Sequence, residues 1–248
     1  MGLAWRINNA VTRMMPLKPI RSRVVRPMAS VTFDDFPKSA WTVAGPILER
    51  YGAKATYYTA GRFRGVTEEG VRYWDDEDLL AARDAGHEIA CHSFSHARAS
   101  TLDRTAFLVD ADRNAACIAR RLGATDLTAY AYPYGDISPR AKTLAAGRYA
   151  SARGVGRGVN AGWIDLAQLK AIAIEHRRWR PEEIDAAIAR AKSKAGWLIF
   201  FTHDVGEAPS PFGCTPAMLR HVLDRLTEVG VEILPVKHAM ARAAFGEA

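Results

Sequence analysis

Val31-Thr32-Phe33-Asp34-Asp35-Phe36-Pro37 is an apolar, β-rich run that stops on two adjacent carboxylates. Each carboxylate taken out of water needs a hydrogen-bond network, a partner charge or a cation. A divalent ion beside one of them would remove that cost and leave the other free to act as a base. Outward from this run, short β-rich stretches recur at 29–33, 55–59, 87–91, 128–132, 149–152, 169–174, 198–202 and 231–234. Amphipathic helical patterns separate most of them, at 39–51, 75–85, 102–122, 138–146, 181–194 and 216–229, with a closing helix at 236–245. Gly86 and Gly230 stop two of these patterns just before the next strand, as a helix C-terminus favours. Seven or eight β-α repeats predict an α/β protein whose parallel strands close into a barrel, with an open doubly wound sheet as the alternative. The first strand leads into Asp34-Asp35 where a phosphate-binding fold would carry a glycine-rich loop.

No linker divides residues 29–248, which read as one domain behind a basic extension at 1–28. That extension carries Arg6, Arg13, Lys18, Arg21, Arg23 and Arg26 with no acidic residue, and so accounts for six of the seven net positive charges. The body is nearly neutral and lacks a basic stripe interleaved with aromatics, which argues against nucleic acid as a partner. The extension reads as a loosely packed arm. The alternative is a contact with an anionic membrane surface, with Leu3, Trp5, Ile7, Val11, Met14 and Met15 at the interface. No apolar run reaches the length of a signal-peptide core or a membrane span. Three cysteines are too few for a disulfide framework and fit a reducing compartment. These features predict a cytoplasmic protein, peripheral to the inner face of the membrane if the basic segment engages it. Oligomeric state is not legible.

In barrels of this type the chemistry sits at the C-terminal ends of the strands. Asp34 and Asp35 end the first run, His92 the third, Pro133-Tyr134-Gly135 follows the fourth and His203-Asp204 the seventh, so all four groups face one rim. His92 and His96 are four residues apart, a spacing that puts two imidazoles on one face of a helical turn. With one carboxylate they form a facial set that leaves positions open for water and substrate. The other carboxylate can then take a proton from water. His203, beside Asp204, supplies a proton donor, with the neighbouring carboxylate holding the imidazolium. Cys91 points into the core, and His87, at a strand start, belongs to the opposite rim.

Together these segments resemble the polysaccharide deacetylase family, carbohydrate esterase family 4, from about Ser30 to the end. The family's Thr-Phe-Asp-Asp-Gly is matched by Thr32-Phe33-Asp34-Asp35-Phe36, and its His-Ser/Thr-x-x-His by His92-Ser93-Phe94-Ser95-His96. Arg-x-Pro-Tyr-Gly is partly matched by Ala131-Tyr132-Pro133-Tyr134-Gly135, and Leu-x-His by Phe201-Thr202-His203. The resemblance implies a distorted (β/α) barrel of about seven strands. It implies Asp34 as general base, Asp35, His92 and His96 as metal ligands, and His203 as general acid. The Tyr134 N–H is implied as the donor to the oxyanion. The implied reaction is metal-dependent removal of N-acetyl groups from a carbohydrate. Zinc is the default ion for such a site, with cobalt, nickel and iron as alternatives.

Two departures stand out. Ala131 replaces an arginine that pairs with the base in the family, and Asn160-Ala161-Gly162-Trp163-Ile164-Asp165 occupies the place of an Asp/Trp-rich motif. Arg153 or Arg157, in a glycine-rich stretch, is the expected source of the missing charge. Phe36, Pro133, Trp163 and Phe212 are candidate substrate-binding residues, with Trp41 a further candidate stacking surface and 209–213 a rim loop. Two rival functions remain: hydrolysis of another amide, such as a formyl-amino sugar or cyclic imide, and a degenerate carbohydrate-binding relative without activity.

Overall fold

A computed structural model of the chain describes residues 10–123 and 126–246. Twelve strands, β1 to β12, run in chain order: Pro19–Arg21, Met28–Asp34, Thr56–Thr59, Thr67–Glu68, Val71–Arg72, Glu88–Cys91, Ala129–Ala131, Ser151–Arg153, Trp163–Asp165, Ile172–Ala173, Trp197–Thr202 and Glu232–Ile233. The helices used below, α1 to α8, are Lys38–Thr42, Ala44–Arg50, Asp76–Asp84, Arg104–Leu122, Pro139–Arg148, Pro181–Ser193, Pro216–Glu228 and Val236–Phe245.

β2 is buried along its whole length, as expected of a parallel strand covered on both faces. It pairs with β11 from Met28 to Phe33, with β3 from Thr32 to Asp34 and with β12 at Met28 and Ala29, parallel in every case. The sheet runs β10-β11-β2-β3-β6-β7-β8 and curls on itself. Arg153 at the end of β8 bridges in parallel to Leu169, three residues before β10, so the segment 169–173 closes the ring between β8 and β11. The fold is therefore a distorted (β/α) barrel of parallel strands, as the alternation of elements implied.

Side chains alternate between two apolar layers. Ala29, Val31, Phe33, Leu198 and Phe200 pack outward beneath the helices, and Met28, Trp197, Ile199 and Phe201 pack inside the barrel. The bottom is plugged by α8, whose Val236, Ala239 and Ala243 join the inner layer. Its first turn is satisfied from strand starts: the Val236 N–H donates to Thr56 Oγ1 at 2.9 Å and the Lys237 N–H to Glu88 Oε2 at 2.9 Å. With the bottom plugged, the cleft lies at the other end.

The expected helix at 39–51 is broken into α1 and α2. Pro46 is the cause: it has no N–H, and its ring clashes with the carbonyl of Thr42, the last residue of α1. The basic segment also differs from the loose arm expected. β1 pairs antiparallel with β9, and Lys142 Nζ donates to the carbonyls of Thr12 and Met15 at 3.0 and 2.8 Å. From residue 10 onward it is a strap laid on the body. Leu3, Trp5 and Ile7 lie outside the described residues.

Candidate active site

Asp34 is the last residue of β2, and Asp35 and Phe36 follow with left-handed backbone angles, φ 64° and 56°. Ser93, His96 and Tyr134 share that region at φ 62°, 54° and 59°. Five of the seven described non-glycine residues with positive φ thus lie in three loops at one barrel rim. Such conformations cost of order 1–3 kcal/mol each and persist where surrounding structure holds them.

Asp35 Oδ1 lies 3.1 Å from His96 Nε2 and 3.5 Å from His92 Nε2. The three ligand atoms are within 4.8 Å of one another. His92 Nδ1 faces the Ala131 carbonyl at 2.8 Å, an arrangement that places the proton on Nδ1 and leaves the Nε2 lone pair toward Asp35. Burial pushes His92 below its usual pKa and His96 down to about 4, so both rings are neutral at pH 7, the form that ligates. Asp35 Oδ1 is buried without a hydrogen-bond partner. An orphaned carboxylate oxygen facing two neutral imidazoles fits a divalent cation. The helical turn expected for His92–His96 is absent. A loop delivers both rings, held by the Asp110 carboxylate of α4, which accepts the N–H groups of Phe94 and Ser95 at 2.8 and 3.0 Å. Asp110 carried no signal in the sequence, since an isolated aspartate in a helix is ordinary.

Asp34 is held by Arg153, whose Nη2 lies 2.5 and 2.6 Å from the two carboxylate oxygens. Arg153 is only 1% exposed, with its guanidinium carbon 4.7 Å from the Phe201 ring centroid and 5.1 Å from that of Tyr58. In the β7–β8 register Arg153 stands directly beside Ala131. Burial pushes the Asp34 carboxyl up, but Arg153, His92 and His203 outweigh it and hold the pKa below the usual carboxylate value. Arg157 is exposed and pairs with Glu183, away from Asp34.

His203 follows β11 and sits opposite, its Nε2 3.9 Å from Asp35 Oδ2. Its Nδ1 lies 3.3 Å from the Phe212 carbonyl. Asp204 was expected to hold His203 and does not. Its carboxylate instead accepts the Ser210 N–H at 2.7 Å and the Ser210 hydroxyl at 2.5 Å, bracing the rim loop. Gly213 is required there, because a Cβ would lie 2.4 Å from the Asp204 carbonyl oxygen.

The cleft above these groups has a volume of about 940 Å³. Tyr134 and Phe212 are exposed on its walls, each backed by an arginine: Arg98 lies 4.5 Å from the Tyr134 ring and Arg177 4.0 Å from the Phe212 ring. Other candidates for sugar contact are displaced. Phe36 is fully buried, packed against Tyr57 and Trp74. Pro133 is buried and opens the tight turn that presents Tyr134. Trp41 packs on His87 at the opposite rim. Trp163 is 74% exposed on β9, beside a separate cavity.

The fold and this rim define a (β/α)-barrel protein with a candidate Asp-His-His metal centre. Residues 21–149 match the family model described as polysaccharide deacetylase, and the chain belongs to that family. A stretch of 85 residues is 35% identical to a probable peptidoglycan-N-acetylglucosamine deacetylase of Arthroderma benhamiae, covering 34% of this chain and 18% of that protein. The match thus spans under a fifth of that relative's length. Among solved structures, a family 4 acetyl xylan esterase from Clostridium thermocellum in complex with a cobalt ion superposes with TM-score 0.60 at 21% identity, covering 86% of this chain and 90% of that one. A family 4 pseudoenzyme from Bacillus anthracis superposes with TM-score 0.58 at 16% identity, covering 91% and 69%. At these identities both show the shared fold.

Proposed function

We propose that the protein is a metal-dependent hydrolase that removes N-acetyl groups from a carbohydrate. The observation that carries this reading is the convergence at one rim: an orphaned Asp35 oxygen facing His92 and His96, with Arg153-bound Asp34 beside them and His203 opposite. Asp35, His92 and His96 would hold the ion. When bound, a divalent cation supplies Lewis acidity toward an amide carbonyl and brings the pKa of a water near 7. Asp34, kept ionised and oriented by Arg153, takes the proton of the attacking water. The Tyr134 N–H donates to the oxygen on which charge develops. His203, steered by its Nδ1 contact to the Phe212 carbonyl, passes a proton to the departing nitrogen, and acetate and a free amine leave. Exposed Tyr134 and Phe212 offer faces for a sugar ring.

The choice of zinc rests on the donor set alone, and cobalt, nickel or iron fit the same set. The degenerate-binder reading drew on Ala131 and on Phe36 in place of glycine, and the Arg153–Asp34 pair counts against the first of these. The test is metal content of the purified protein, with acetate release from N-acetylglucosamine oligomers measured before and after chelation and metal add-back. One ion per chain, with chelator-sensitive release abolished in Asp34→Asn, is the expected result. An ion without acetate release would move the substrate to other amides, and no ion would overturn the mechanism.

A further inference from the structure

The strap laid on the barrel carries a second surface, remote in chemistry from the cleft. Val11, Met14, Met15, Leu17 and Val25 of the strap are exposed, and the strap's partners add the two most open aromatic rings near it, Trp163 and Phe245. Backbone bonds bring these pieces together. Arg21 stands opposite Trp163 in the β1–β9 ladder, the Ser22 N–H donates to the Gly162 carbonyl at 2.8 Å, and the Arg23 N–H donates to the Ala243 carbonyl at 2.9 Å, two residues before Phe245. Of the ten large apolar side chains exposed among the described residues, seven therefore lie on the strap or on the elements it touches. Scattered exposed apolar residues need no explanation, but a gathered set marks an interaction surface.

The charge on this surface names its partner. Arg13, Arg21 and Arg23 are exposed, and no carboxylate among the described residues pairs with them. Beside Trp163 opens a cavity of about 290 Å³ lined by Arg13, Lys142, Lys170 and Asp165, with Arg157 at its edge paired to Glu183. Asp165 is already taken by Lys142 and by the N–H of Lys18. A second copy of the chain would bring arginine against arginine across such a face, and like charges in contact are unfavourable. Apolar side chains interleaved with unpaired arginines instead match the interface of an anionic bilayer, where acyl chains lie below phosphate headgroups.

We propose that the strap, with Trp163 and Phe245, docks the protein on an anionic lipid bilayer and seats a headgroup phosphate between Arg13 and Lys170. Among the described residues no helix is long and apolar enough to cross a membrane, so the contact is a surface one. The proposal does not depend on the deacetylase reading, because binding is measured without turnover.

The full chain would be sedimented with vesicles of phosphatidylcholine alone and of an equimolar phosphatidylcholine–phosphatidylglycerol mixture. Binding to the mixture alone, released by high salt, is expected. Arg21→Glu/Arg23→Glu should weaken partitioning by roughly tenfold or more through lost attraction to the headgroups, and Trp163→Ser/Phe245→Ser by a similar factor through lost apolar burial, both at unchanged Tm. Equal binding to both vesicle types, binding to neither, or binding that the variants leave intact would overturn the proposal. So would light scattering that shows a dimer broken by Trp163→Ser/Phe245→Ser without vesicle binding, which would assign the face to a second copy.

Discussion

Arg153 reaches Asp34 from β8, the strand beside the one on which the related motif carries its arginine. Removing it would leave a buried carboxylate without its main counter-charge. In Arg153→Ala the burial that pushes Asp34 up goes unopposed by the guanidinium, so the pKa rises and the acid limb of kcat/KM moves to higher pH. Loss of orientation should lower kcat/KM by roughly a hundredfold. An acid limb that stays in place would show that Asp34 is tuned by other groups. Phe36 poses the opposite problem, a large residue in a left-handed conformation. Phe36→Gly relieves about 1 kcal/mol of backbone strain but forfeits about 3–5 kcal/mol of packing. Urea titration should therefore show a net loss of about 2–4 kcal/mol, and an unchanged midpoint would mean that strain matches packing. Of the residues that converge at the rim, Asp34, Asp35, His92 and His203 were legible because each ends or directly follows a strand, and His96 because it stands four residues from His92. The exposures of Phe36 and Trp163 were not, since burial depends on partners such as Trp74 and β1 that lie far along the chain.

At the scale of elements, the central strands and long helices followed from their apolar periods and terminal glycines, and the structure adds their N-caps. Asp75, Asp103, Ser138 and Thr215 each accept an N–H in the first turn of their helix. β1 and β9 gave no signal, because each pairs with a segment far along the chain, whereas β10 and β12 fall within the expected runs 169–174 and 231–234. β6 offers a pH test outside the cleft. Just before it, His87 Nδ1 accepts the Ala55 N–H at 2.9 Å, and burial, aided by Lys54, pushes its pKa down to about 4. The unfolded chain binds that proton near pH 6.5 and the folded one only near 4. The stabilisation is thus complete above the unfolded value and is lost as pH falls from 6.5 toward 4, by roughly 3 kcal/mol. His87→Gln, which keeps an acceptor, should flatten stability against pH by that amount relative to the parent. Parallel curves for the two proteins would show that His87 is protonated in the fold.

For the whole molecule, α8 plugs the barrel bottom and fixes the open rim as the place where a cation can add cohesion among β2, the 92–96 loop and the rest. Ions at a hundredfold over Kd would add about 2.7 kcal/mol and raise Tm by about 5–10 °C for a chain of this size. Calorimetry with and without chelator should show that shift in the parent and not in Asp35→Asn. A shift common to both would place the ion elsewhere. The Ala131–Arg153 register has a further consequence for where such a barrel draws its charge. The position laterally paired with Ala131 delivers a guanidinium to Asp34, so the charge partner of a rim carboxylate need not come from one fixed strand. Scoring arginine only at the position of Ala131 would miss the guanidinium that Arg153 brings to Asp34. The matched segment ends at residue 149, and both Arg153 and His203 lie past it.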